Sequence, residues 1–123
     1  MSLTEGKHPG EFIISEANGH RSREVVTIDN GADLVARTVL DLPTGTTKYI
    51  ACDQDASDGS ETAVAILYAD AAAASAEVEA VAIVRDAEVN RDELTFAAAN
   101  DAGEITELIA DLAAVGIIVR DTL

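Results

Sequence analysis

Gly6-Lys7-His8-Pro9-Gly10-Glu11-Phe12-Ile13-Ile14-Ser15-Glu16-Ala17-Asn18-Gly19-His20-Arg21-Ser22-Arg23-Glu24-Val25-Val26 decides how the rest of the chain is read. It holds both histidines, three of the eight lysines and arginines, and one of only two phenylalanines. The apolar island Phe12–Ile14 lies between two turn signals, Pro9-Gly10 and Asn18-Gly19. In an extended strand side chains alternate, which puts Phe12 and Ile14 on one face with Glu11, Ile13 and Ser15 beside them. Two readings fit. The island is either the first strand of the protein's own sheet, or part of an arm that orders on a partner. Residues 1–20 are polar enough for the arm, and chain ends of this composition are mobile unless tied down. The expected organisation is an arm over 1–20 and one globular domain over 21–123.

Outward from this stretch, Arg23–Ile28 is a β-branched strand. Asp29-Asn30-Gly31 marks a turn, and Leu34–Leu40 is a second apolar run. Pro43-Thr44-Gly45-Thr46 turns the chain again, and Lys48–Cys52 returns, so the pattern predicts a β-hairpin. Thr62–Tyr68 has almost no polar face, the mark of a strand covered on both sides. Asp70–Ala80 is alanine-rich, and propensity favours a helix there. It carries no stripe of large apolar side chains, so the reading is a loop with at most a short helical turn. Val81–Arg85 is a further strand, Asp86–Asn90 continues it or turns, and Leu94-Thr95-Phe96 is apolar again.

One helix stands out. Asp101 and Glu104 have capping-box spacing. Ile105, Leu108, Ile109 and Leu112 recur at i, i+3, i+4 and i+7, and Gly116 occupies the place of a left-handed cap. Ile117-Ile118-Val119 then reads as a last short strand. The fold class is α+β, mostly β, with short strands and one C-terminal helix.

Length and charge limit the function. A chain of 123 residues suits one domain with a single core. Two Phe, two Tyr and no Trp leave that core to small and branched side chains. The formal net charge of −15 argues against nucleic acid, whose phosphates demand Lys and Arg, and against an anionic membrane. No apolar run approaches the ~20 residues of a membrane span. The single cysteine, Cys52, excludes an intramolecular disulfide and reads as a buried, inert thiol.

Candidate chemistry is sparse. The acidic stretch Asp53–Glu61 supplies oxygens for a hard cation. Counting from Asp53, however, Asp58 and Val64 stand where an EF-hand needs Gly and Glu, so a solvated turn is the better reading. A small ligand- or calcium-binding domain built on this loop is the alternative function. His8 and His20 form no evident catalytic pair, and no serine sits in a nucleophile elbow. No phosphate-binding glycine motif occurs. The expectation is no enzyme, no cofactor and no metal. The basic group Lys7, His8, His20, Arg21 and Arg23 either meets an acidic protein surface or balances Glu11, Glu16 and Glu24.

Four segments carry a family resemblance. His8–Gly19 followed by Arg21-Ser22-Arg23-Glu24 resembles the start of the lambda-like phage head decoration proteins. Ser57–Ala63 leading into Ala65–Tyr68 resembles their central motif. Val81–Val89 and Gly116–Arg120 are similar to their later segments. The resemblance spans nearly the whole chain in order, with no diagnostic residues in 36–55 or 70–80.

It implies a small trimeric protein without enzymatic activity. Such proteins sit on the outside of the expanded head at threefold and quasi-threefold positions and stabilise it against packaged DNA. The implied partners are the major capsid protein and two further copies of the chain, with no nucleic acid and no membrane. The implied location is the outer surface of the virion head, after synthesis in the bacterial cytoplasm. The resemblance also implies an N-terminal arm that adds to a capsid-protein sheet, with Glu11, Phe12, Ile13, Ile14 and Ser15 as capsid-binding residues.

Overall fold

The computed structural model describes residues 12–19, 21–31, 33–43, 45–52, 62–96 and 102–121. Among these residues eight strands and one α-helix follow in order: β1 (Ile13–Glu16), β2 (Arg23–Ile28), β3 (Val39–Asp41), β4 (Lys48–Ala51), β5 (Ala63–Leu67), β6 (Val78–Ile83), β7 (Ala87–Asn90), α1 (Ala102–Ala114) and β8 (Ile117–Arg120). The chain is α+β and mostly β, as its pattern predicts. Five strands close into a small barrel in the order β2-β4-β3-β5-β6, and β1-β7-β8 form a separate open sheet.

The barrel's longest seam is antiparallel, from Arg23 opposite Ile83 to Ile28 opposite Val78. A short parallel contact, Thr27 with Lys48 and Ile28 with Tyr49, joins β2 to β4. The predicted hairpin is present, since β3 and β4 pair Leu40 with Ala51 and Asp41 with Ile50. Its first strand is shorter than the apolar run from Leu34. Arg37 sits at φ 74°, in the left-handed region, and Thr38 Oγ1 donates to the Val35 carbonyl at 2.7 Å, so the chain turns before β3 begins.

Neighbouring residues of three barrel strands feed two different cores. Leu40, Leu67 and Ala82 point into the barrel with Val26, Ile28 and Ala65. Val39, Ile66 and Ile83 point outward, against Phe12, Val89, Leu108, Leu112 and Ile117. Strand alternation explains the arrangement, and it accounts for the missing polar face of residues 62–68.

The alanine-rich stretch is not a helix. Ala71 and Ala73 are buried with the barrel's interior residues, in a segment tied down by backbone bonds. Leu34 and Ala71 exchange N–H···O bonds of 2.8 Å, and Gly31 N–H donates to the Ala73 carbonyl at 2.8 Å. The Asp70 carboxylate accepts from Ala36 N–H at 2.7 Å and Asp33 from Ala74 N–H at 3.1 Å. Tertiary bonds of this kind outweigh alanine's helix propensity, which amounts to only about 1 kcal/mol per residue over glycine. Residues 78–80, at the end of the expected loop, instead belong to β6.

α1 buries Leu108 and Leu112. Gly116 follows at φ 90°, and its N–H donates to the Ala113 carbonyl at 3.1 Å, as its cap position predicts. Asp101, the expected N-cap, lies outside the described residues.

Candidate functional site: the outer strand of the open sheet

β1 lies at one edge of the open sheet and pairs only with β7 among the described residues. The register puts Ile13 opposite Val89 and Ser15 opposite Glu88. Two residues of β1 are therefore spanned by one step of β7, and Ile14 is the extra residue of a β-bulge. A bulge breaks alternation. Phe12 and Ile14, expected on one face, accordingly part company. Phe12 is fully buried in the outer core, and its carbonyl accepts from Asn90 N–H at 2.8 Å. Ile14 is 46% exposed. Ile13 packs against the same core as Phe12, and Ser15 faces solvent. Glu11 lies outside the described residues, as do residues 1–10.

The segment expected as an arm to residue 20 is thus knitted into the body from Phe12 onward. Phe12 supplies the core contact, and two polar ties complete the attachment. Ala17 N–H donates to Ser22 Oγ at 2.9 Å, and the buried Ser22 hydroxyl donates to the Asp86 carbonyl at 2.8 Å. Arg23 grips Glu16 through Nε (3.0 Å) and Nη2 (2.6 Å) and stacks 4.3 Å from the centre of the Tyr68 ring. The hydrogen bond to Glu16 pushes the guanidinium pKa above its ordinary value.

The solvent face of the sheet carries a polar row across all three strands. Ser15 Oγ donates to Glu88 Oε2 at 2.8 Å, and Arg120 donates to Glu88 Oε1 through Nη2 (2.7 Å) and Nε (3.0 Å). The Arg120 hydrogen bond, then that of Ser15, holds the Glu88 carboxyl below its usual range. Ile118, opposite Glu88 on β8, is exposed in the same row.

The basic group resolves into ion pairs. Arg21 meets Asp86 at 3.2 Å, Arg23 meets Glu16, and Arg85 meets Glu24 at 3.2 Å. Lys7, His8 and His20 lie outside the described residues. Elsewhere Arg37 pairs with Glu93, Lys48 with Glu77, Arg91 with Asp121 and Arg120 with Glu88, so every described lysine and arginine has an acidic partner. Nothing local announces the Arg37–Glu93 pair, because the residues are far apart in the chain. An isolated arginine inside an apolar run was its one trace.

The Cys52 side chain is buried in the outer core and is in no disulfide. Among the described residues no group of three or more His, Cys, Asp or Glu is placed to hold a metal ion. The acidic stretch Asp53–Glu61 lies outside the described residues. What the structure offers is a small β protein whose open sheet presents a strand edge and a mixed polar and aliphatic face, the equipment of an interaction module.

The chain belongs to the family of bacteriophage lambda head decoration protein D, whose sequence model matches residues 2–117 of the 123. That family is a structural component of phage heads and not a class of enzyme. No curated protein matches the chain.

Proposed function

We propose that the protein binds as a homotrimer to threefold and quasi-threefold sites on the outside of an expanded phage head and stabilises the shell against packaged DNA. The segment Glu11, Phe12, Ile13, Ile14 and Ser15 carries the contact with the major capsid protein, with its described residues in two roles. Phe12 and Ile13 root the strand in the body, and Ile14 and Ser15 meet the shell. The observation that supports this is the outer position of β1, unpaired on one side among the described residues, with its bulged, exposed Ile14. Such an edge accepts or donates a strand by main-chain hydrogen bonds, with side chains supplying selectivity. One edge alone binds weakly, and three linked copies raise avidity by about 10²–10⁴. A closed threefold assembly also matches a threefold site. The protein is made in the host bacterial cytoplasm and ends on the virion surface.

The test pairs expanded with unexpanded heads of the phage that encodes the chain. Sedimentation should show a trimer. Removing residues 1–11 and replacing Ile14 by Asp should each leave the trimer folded and weaken binding to expanded heads. Undiminished binding by both variants would sink the β1 contact, and a monomer at working concentration would sink the avidity argument. Deleting residues 1–17 is a poor test, because it removes Phe12 from the core.

A further inference from the structure

At the end of the barrel closed by the alanine-rich segment, three shallow hollows of about 220, 240 and 250 Å³ share walls. Leu34 lines all three, Val35 lines two, and Ile50, Ala51 and Phe96 complete the apolar surface. Val35 is 47% exposed, one of five large apolar residues left open among the described residues. Its position is imposed. The left-handed Arg37 and the Thr38–Val35 hydrogen bond hold it at the tip of a turn, and the paired bonds between Leu34 and Ala71 fix the turn's base.

The rim is acidic. Asp33 and Asp70 border the hollows and are exposed, and Asp29 borders the third. Each uses one oxygen on a backbone N–H. No described lysine or arginine forms an ion pair with any of them. Lys48 is held by Glu77 at 3.0 Å and feels Asp29 more weakly.

From this we infer that the barrel end is a second docking surface for the capsid shell, accepting a segment with an aliphatic side chain flanked by Lys or Arg. The inference rests on the decoration reading above and adds a contact on a different part of the fold. Charge complementarity selects the occupant. Apolar hollows take the aliphatic group, and the carboxylates favour a cationic flank and fix its register. A second copy of this chain is a poor fit, because its described cations are already engaged and its own net charge is −15.

The experiment measures binding of the full-length protein to expanded heads as a function of salt. Val35→Ser should lower affinity about tenfold at an anchor position. The pair Asp33→Asn and Asp70→Asn keeps an oxygen for each backbone N–H, and should flatten the fall of affinity with salt. Thermal melting checks that both variants fold, and Asp33→Asn alone serves if the pair does not. Hydrogen exchange on heads should show protection at residues 33–36 and 70–74. Unchanged affinity, salt slope and exchange, with the wild type bound, overturn the inference and leave the β1 contact standing. A drop in oligomer mass for Val35→Ser makes the surface a contact between copies and overturns it too. If the wild type binds no heads, both readings fall.

Discussion

The barrel and the open sheet solve the problem of strand edges in opposite ways. The barrel's β2 and β6 pair over six residues, so its edges are consumed within the fold. The open sheet keeps β1 and β8 as outer strands, with Ile14 and Ile118 exposed on them. The cores differ in the same sense. The barrel encloses Ala65, Ala71, Ala73 and Ala82 beside a few larger side chains. The space between barrel wall, sheet and helix holds Phe12, Ile66, Ile83, Leu108, Leu112 and Ile117. A narrow closed cylinder selects small residues, whereas two packed layers take large ones. The lesson is that the sheet left open among the described residues is also the one rooted by the bulkiest core, the one that holds Phe12.

If that contrast is right, Phe12→Ala is the most damaging change. It should cost about 3–5 kcal/mol in urea unfolding, the value for a core aromatic and not for a chain end. A loss under about 1 kcal/mol would mean that β1 is only loosely attached. Ala82→Leu probes the other core and should fail by overpacking, at about 1–3 kcal/mol. A neutral result would show that the barrel interior has room. Gly116→Ala comes next. At φ 90° the new Cβ would also meet Asp86 N at 3.2 Å, so a loss of more than about 1 kcal/mol is expected in the same assay.

The smallest effect belongs to the exposed row of the sheet. The Glu88 carboxyl is lowered in the folded protein. Its contribution is therefore full above the unfolded glutamate pKa and fades as pH falls through the folded one. Glu88→Gln should lower stability slightly at neutral pH, leave strongly acid pH nearly unchanged, and so flatten the acid side of the stability profile. An unaltered acid limb would show the Ser15–Glu88–Arg120 row to be idle.

Much of the fold was readable from local signals. The helix, the hairpin turn, the last strand and the doubly buried β5 each carry a pattern within a few residues. What escaped was set by distant partners. Nothing near Arg23–Ile28 announces that it closes a barrel with Val78–Ile83. The alanines of 71–74 look helical because the bonds that hold them come from Gly31, Asp33 and Leu34. Alternation predicts one shared face for Phe12 and Ile14, whereas Phe12 is buried and Ile14 is exposed. One inserted residue in a strand reverses the side chains beyond it, and a bulge leaves no mark in an apolar triplet such as Phe12–Ile14.

The shared wall has a consequence for how the molecule comes apart. Val39 and Leu40, Ile66 and Leu67, and Ile83 and Ala82 are adjacent pairs that serve opposite cores. Melting either core strips one side of the same three strands and leaves the other without backing. The two cores are therefore thermodynamically one unit, and partial opening has no stable stopping point between them. Under such all-or-none behaviour every copy is either fully intact or fully lost.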